Sequence, residues 1–456
     1  MSKSILARNL FRTGVIEKLS RDNSLKIVVL VPNIKNVDFS NYADELDELK
    51  KERPSVEIIA VPDKRFGFLE RVLYGFMSNL TFSKTTRLTI FINGRTGEIK
   101  NPLVFVLYWL IYAPLSRLNF FKKLCRAAYC KLFRNDVYGR YFDKYKPDLV
   151  FSTSIVTIFD IDILREAKRR RVKTVSMPKS WDNIDKILYF VEPDLFLVQN
   201  ELMKTAAMKY QCLSPQKIKV VGFPQFDIYA GKKSFSSREE YCRSKNFNPK
   251  LPIIFLGSGG PFTKGDKEVF KGIIEMRNRG EIPDCNISIS THFLKAGRNE
   301  YEDFKKERNV FIEDLKSSPN SIFIDGRCAS NERIKSFVDF IFHSAAIVTF
   351  ASTLALDAAC LNKPAIAINY GVRFVDGKDK TSSLLYKTVH YEWVLSTDAV
   401  SLANSPEHLA ELINLCLKNP SYKNKERGEL VDKLCYKVDG LSSHRIAQEI
   451  LSCLSH

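Results

Sequence analysis

Histidine is scarce in this chain of 456 residues, with six in all, and the ten cysteines fall singly, with no Cys-x-x-Cys pair. That scatter excludes a zinc constellation and a disulfide framework, and it reads as reduced thiols, many of them buried, in a cytoplasmic protein. No metal and no cofactor is expected. Neither a Gly-x-Gly-x-x-Gly nor a Walker sequence occurs, which removes the two commonest signatures of nucleotide phosphate binding. The start, Met1 to Asn9, has no apolar core of the length a secretory signal needs. Acidic residues are in deficit, 52 Asp and Glu against 70 Lys and Arg, for a net charge of +18. Such a surface attracts polyanions: nucleic acid, anionic lipid headgroups or phosphorylated substrates. No RNA- or DNA-binding motif accompanies the charge, so no nucleic acid partner is expected.

What is present is alternation. Apolar runs with strand composition fall at residues 25–32, 56–62, 88–93, 148–154, 172–177, 195–200 and 218–223. A second series follows at 252–258, 286–292, 321–325, 346–350 and 365–369, with helical stretches between most of them. This is the pattern of an α/β protein with parallel sheets. A polar segment at 229–250 separates the two series. The expectation is therefore two doubly wound, Rossmann-like domains facing across a cleft, residues 1–230 and 251–456. The carboxyl ends of the strands, where ligands bind in such sheets, would line that cleft. Residues 442–454 read as a capped amphipathic helix.

The richest segment runs from Thr349 to Asn369: strand, small-residue turn, short helix, Lys-Pro, second strand. Ser352 and Thr353 stand where the helix must start, as natural N-caps beside free backbone N–H groups, an arrangement suited to an anion. Ser176-Met-Pro-Lys-Ser-Trp-Asp-Asn-Ile-Asp-Lys186 follows a strand and gathers Trp181, two carboxylates and two lysines. A Trp face suits a sugar ring, a carboxylate a general base, and a lysine a phosphate; the bland alternative is an Asx-type turn anchored by a half-buried Trp. His292 ends a strand of the second series, where it could meet a phosphate oxygen or move a proton. Gly257, Ser258 and Gly259 form a glycine-rich turn that lets backbone approach a ligand. His390 faces the cleft in this reading, as does the loop 376–380, while His343 reads as a core residue.

One segment stands apart. Residues 103–115 are 13 positions without a charge, too short for a bilayer, which needs about 20. Lys122, Lys123, Arg126, Lys131, Arg134 and Arg140 follow, interleaved with aromatic and aliphatic residues. An apolar helix beside a basic one suits an anionic membrane surface, with a buried core helix and a solvated basic face as the alternative.

Laid end to end, several phrases carry a family resemblance. They are Ser180-Trp-Asp-Asn183, Asp194-Leu-Phe-Leu-Val-Gln-Asn200, Val221-Gly-Phe-Pro-Gln-Phe-Asp227, Gly257-Ser-Gly259, Thr291-His292, Ser352-Thr353 through Asn362-Lys-Pro364, and Asp439-Gly-Leu-Ser-Ser-His-Arg-Ile446. From about Lys146 onward the chain resembles GT-B glycosyltransferases of bacterial surface-carbohydrate synthesis (capsule or lipopolysaccharide), related to the CDP-glycerol glycerophosphotransferases. The resemblance implies a metal-independent transferase with a nucleotide-sugar donor, CMP- or CDP-linked, in the second domain. It implies donor phosphates at His292, Ser352 and Thr353, although Phe293 stands where related families have Pro, and a ribose contact at Asp357. The acceptor hydroxyl would lose its proton to a base in the first domain, Asp182 first and Asp160 or Asp162 in reserve. Trp181, Asn183 and Lys186 would bind the acceptor, a glycan or lipid-linked glycan, on a protein peripheral to the inner face of the cytoplasmic membrane. Three rivals remain on the same fold: a glycerophosphate or polyol-phosphate transferase, a nucleotide-sugar epimerase, and a catalytically inactive glycan-binding or assembly protein.

Overall fold

The apolar runs form three wholly parallel sheets. The structure, a computed structural model, describes residues 8–33, 55–62, 64, 66–88, 101–133, 136–231, 235–259, 265–291, 300–313, 331–371 and 383–455. Strands β1 (Ile27–Asn33) and β2 (Val56–Pro62) pair with each other. Strands β3 (Leu149–Ser152), β4 (Lys173–Ser176), β5 (Leu195–Val198) and β6 (Ile218–Val220) form a second sheet in that order. The third contains β7 (Ile253–Gly257), β8 (Asn286–Ser290), β9 (Val310–Glu313), β10 (Ala346–Thr349), β11 (Ala365–Ile368) and β12 (Val400–Ala403), ordered β12-β11-β10-β7-β8-β9. β7 is therefore central, and the strand order reverses between it and β10. At such a switch point the two connections leave in opposite directions and open a crevice at the strand ends.

β9 and β12 are additions to the expected list. The expected strand at 321–325, and all but the first residue of that at 88–93, lie outside the described residues.

The helices, in chain order, are α1 (Val15–Ser20), α2 (Phe68–Ser78), α3 (Pro102–Leu115), α4 (Asn119–Leu132), α5 (Asp136–Tyr145), α6 (Ile158–Arg169), α7 (Glu201–Gln211), α8 (Arg238–Lys245), α9 (Asp266–Asn278), α10 (Asn331–His343), α11 (Leu354–Cys360), α12 (Val389–Leu395), α13 (Pro406–Lys418), α14 (Asn424–Leu430) and α15 (Ser442–Leu454). On one face of the six-stranded sheet, α9 and α13 pack Phe270, Ile273, Leu409 and Ile413 onto Ile254, Ile287 and Val348. On its other face the core does not stop. One cluster runs from Phe255, Phe340 and Leu354 through Tyr391 to Trp181, Leu188 and Phe196 of the first half.

The last helix leaves the second half. In α15, Ile446, Ala447 and Ile450 share a core with Val15, Ile16 and Leu19 of α1 and with Val175 and Leu197 of the four-stranded sheet. Its first turn is held by a carboxylate far away in sequence: Asp227 accepts from Ser442 N at 3.1 Å, and from Ser443 N and Ser443 Oγ at 2.8 Å each. Gly222 makes room for this join. Its φ is +87°, and a Cβ there would stand 2.5 Å from Ser442 Oγ.

Candidate functional site

The Trp181 loop follows β4 and is fastened from several sides. Gln199 Nε2 donates to Pro178 O at 3.0 Å. Gln211 Nε2 donates to Ile184 O at 2.7 Å and to Ile187 O at 2.9 Å, and Ser83 Oγ to Asp185 O at 2.7 Å. With its backbone so held, the short turn Trp181–Asn183 presents its side chains in fixed directions.

Trp181 points into the second half. Its Nε1–H donates to Thr353 Oγ1 at 3.4 Å, and its ring meets His390 edge-on at 5.2 Å between centroids and Tyr391 at 6.5 Å. The ring is 3% exposed, so here it packs between the halves rather than offering an open face to a sugar. Thr353 occupies the N-cap position without a side-chain cap bond. Its neighbour Ser352 takes that role, accepting from Leu354 N at 3.0 Å.

Asp182 is ion-paired with Lys186, and both are partly exposed. Burial alone would raise its carboxyl, but the charges of Lys186 and His390 and the hydrogen bonds of Lys186 and Ser180 hold it well below the usual carboxylate range. Three residues on, burial pushes Asp185 up, against hydrogen bonds from Thr85 and Ser83. Burial also depresses His390 to about 4, with Asp182 pulling the other way, so its imidazole is neutral near pH 7. His390 Nδ1 and Asn183 Oδ1 are buried without a hydrogen-bond partner among the described residues. The first half closes onto α12 through the Lys84–Glu392 ion pair and through Val389 N, which donates to Thr85 Oγ1 at 2.9 Å.

The switch-point crevice is built by Gly257 and α11. A Cβ on Gly257 would lie 2.4 Å from Leu354 Cδ2, so this glycine admits the start of α11 close against the end of β7. Ser258 and Gly259 are engaged internally. Asp266 accepts from Ser258 Oγ at 2.7 Å, from Gly259 N at 3.3 Å and from Tyr301 Oη at 2.9 Å. Asp357, expected at a ribose, is instead 8% exposed and accepts from Tyr229 Oη at 2.8 Å across the two halves. Thr291 Oγ1 bonds Glu313 O at 3.2 Å. His292 and the loop 376–380 lie outside the described residues.

The reserve bases serve the interior. Asp162 pairs with Arg165, and Arg165 Nη1 reaches Glu70 at 2.9 Å. Asp160 accepts from Ser152 Oγ at 2.9 Å and from Thr157. His343 is buried as expected, stacked on Tyr241 at 4.5 Å with Nε2 3.0 Å from Ser236 O. Asp266, Tyr301 and Tyr229 were not among the expected residues. Their partners lie 8, 43 and 128 positions away, and no local pattern announces such pairings.

A scan of protein-family models and a search of curated proteins each find no match. Solved structures do match. A UDP-GlcNAc 2-epimerase from Neisseria meningitidis is 13% identical, with a TM-score of 0.54 over 98% of this chain and 97% of that one. A Listeria monocytogenes protein assigned as a UDP-N-acetylglucosamine 2-epimerase is 11% identical, with a TM-score of 0.52 over 98% of this chain and 93% of its own. The wall teichoic acid polymerase TagF is 11% identical, with a TM-score of 0.40 over 74% of this chain and 98% of that one, a level at which the likeness carries no argument. At such identities the first two establish the fold: α/β, GT-B-like, two doubly wound Rossmann-like halves facing across a cleft.

Proposed function

We propose that the chain transfers a glycosyl group from a nucleotide-activated sugar, CMP- or CDP-linked, to a glycan or lipid-linked acceptor in the assembly of a bacterial surface polysaccharide or glycolipid. The observation that carries this reading is the meeting of two motifs far apart in the sequence. The expected acceptor loop and the expected donor turn, 172 positions apart, touch through Trp181 and Thr353. Residues 251–456 hold the donor and residues 1–230 the acceptor. Donor phosphates bind Ser352, Thr353 and His292 at the crevice edged by Gly257, Ser258 and Gly259. Asp357 supports this region through Tyr229 rather than by touching ribose.

Asp182 takes the proton of the acceptor hydroxyl, and Asn183 and Lys186 orient the acceptor. A carboxylate paired with a lysine is a weak base on its own, since acid–base catalysis favours a pKa near the working pH. His390, neutral and edge-on to Trp181, places an imidazole beside the same loop. Trp181 aligns the two halves. Hydroxyls and His292 stabilise the leaving phosphate by preorganised hydrogen bonds and charge, so chelators leave turnover unchanged.

Titration calorimetry against CMP, CDP, UDP and GDP tests the donor half. One nucleotide should bind. Ser352→Ala should weaken it by about 1.5–3 kcal/mol, the worth of a hydrogen bond to a charged group. Binding of none of the four would sink the donor assignment. Asp182→Asn should lower turnover by about 10²–10⁴-fold with donor affinity kept, and full activity in that variant would remove Asp182 from the chemistry.

A second reading rests on the two full-length fold matches, both described as UDP-GlcNAc 2-epimerases. An epimerised nucleotide sugar formed without any acceptor would decide for it. A product that gains a polyol phosphate rather than a hexose would decide for polyol-phosphate transfer.

A further inference from the structure

The large apolar side chains left in solvent are not spread evenly. Fourteen of the 17 on described residues fall between Phe68 and Leu132. They lie on three helices, α2 (Phe68, Leu69, Val72), α3 (Leu103, Val104, Val106, Leu107, Trp109, Leu110, Ile111) and α4 (Phe120, Leu124, Leu132), with Leu118 in the turn between the last two. α3 is apolar around its whole circumference, yet only Tyr112 is buried. A helix of that composition belongs inside a core or in lipid. The three helices form one body: the Phe76 ring of α2 meets Tyr112 of α3 at 5.6 Å and Phe121 of α4 at 6.2 Å.

Among the described residues, the exposed charges on these three helices have one sign. Residues 101–133 contain no Asp or Glu. Lys123 and Lys131 stand exposed on α4 beside Phe120 and Leu124, and Arg71 on α2 beside Val72. The structure corrects the expected basic stripe in one respect. Lys122 and Arg126 turn inward: Lys122 Nζ donates to Tyr210 O at 3.2 Å, and Arg126 donates to Tyr189 O and Gln211 O at 2.8 Å each. Gln211 in turn holds Ile184 O, so the inner side of α4 is fixed one residue away from the loop that carries Trp181 and Asp182.

No single described helix is long and apolar enough to cross a membrane, and α3 and α4 meet at 95°. At 1.5 Å per residue α3 is about 21 Å long, against about 30 Å of hydrocarbon. A short all-apolar helix turned at right angles to a basic amphipathic one suits the plane of an interface.

We propose that α2, α3 and α4 form a docking surface for an anionic lipid bilayer, with α3 lying in the interfacial layer and Lys123, Lys131 and Arg71 against the headgroups. The proposal stands whether or not the chain is a transferase. If it is, the same contact holds the acceptor side of the cleft at the membrane.

The test is sedimentation of the full chain with vesicles of phosphatidylcholine alone and with phosphatidylglycerol, at low and high salt. The wild type should pellet with anionic vesicles at low salt and release as salt rises. Tryptophan emission should shift to the blue, and brominated lipid should quench it in the wild type but not in Trp109→Phe. Lys123→Glu with Lys131→Glu, and separately Leu107→Ser with Leu110→Ser, should each weaken partitioning by more than about tenfold at an unchanged melting temperature. Absence of pelleting at low salt overturns the proposal, as does equal partitioning by both folded variants. A reversible dimer in sedimentation velocity, without vesicle binding, assigns the face to a second copy of the chain instead. Should a charge or leucine variant fail to fold, the difference in quenching between the wild type and Trp109→Phe decides, and equal quenching of the two rejects the surface.

Discussion

At the scale of single residues, neutral His390 and charged Asp182 both make the fold sensitive to acid. His390 titrates near 4 because burial disfavours the imidazolium, against an ordinary value of 6.5. Between these values the unfolded chain binds the proton and the folded chain does not, so stability rises with pH across that window. The span corresponds to something on the order of 3 kcal/mol. Asp182, held below the carboxylate range, adds its loss only below its ordinary value near 3.8, and buried His343, also depressed, moves the same way as His390. Asp185, pushed up by burial, works the other way, so the His390 share is read by comparison: the gain in urea midpoint from pH 4.5 to pH 7 should be smaller in His390→Gln than in the wild type. An undiminished difference in the variant would mean that His390 is not buried neutral. The positions of Trp181, Asp182, Ser352 and Thr353 just after strands were legible: the apolar β10 precedes Ser352, and the short Lys173–Ser176 strand precedes the Trp181 loop. Ser258 and Asp357 were not legible. Their hydroxyl and carboxylate are taken by Asp266, Tyr301 and Tyr229, and what a polar group bonds depends on residues that only the fold brings near.

At the scale of elements, the strands with four or more consecutive apolar residues were readable because parallel strands covered on both faces keep no polar side. The polar segment at 229–250 signals the restart of the strand series, but nothing in the sequence of α15 says which sheet it will cover. Its apolar stripe fits either, and the choice is made by Asp227 meeting its first turn. That carboxylate acts as an N-cap supplied from 215 positions away. Asp227→Ala should destabilise the protein by about 1–2 kcal/mol, as loss of a capping side chain does. Amide hydrogens of α15 and of α1, which packs on it, should exchange faster, while those of α9 and α13 stay protected. Gly222→Ala should act on the same join, through its +87° φ and the clash with Ser442, at a cost of about 1–3 kcal/mol. Unchanged exchange in α15 in both variants would show that the helix is held by its apolar face alone.

For the whole molecule the question is whether the two halves behave as one. Interfaces between domains are commonly polar and permissive, and relative motion is expected unless the contact is large and apolar. Here the apolar cluster passes from Phe255 and Phe340 through Leu354 and Tyr391 to Trp181 and Phe196 without a break, and α15 packs back onto the four-stranded sheet of the first half. Both links make unfolding of one half costly for the other. Scanning calorimetry should accordingly give a single coupled transition for the wild type. Trp181 is the largest side chain at the junction, and Trp181→Ala leaves a cavity between the halves, worth about 3–5 kcal/mol for a buried aromatic. That variant should split the transition in two. Trp181→Phe keeps most of the packing and gives up only the hydrogen bond to Thr353, a loss of about 1 kcal/mol, so it should keep one transition. Two transitions already present in the wild type would mean that the halves fold independently, and that Trp181 sits at a contact formed only in the closed arrangement.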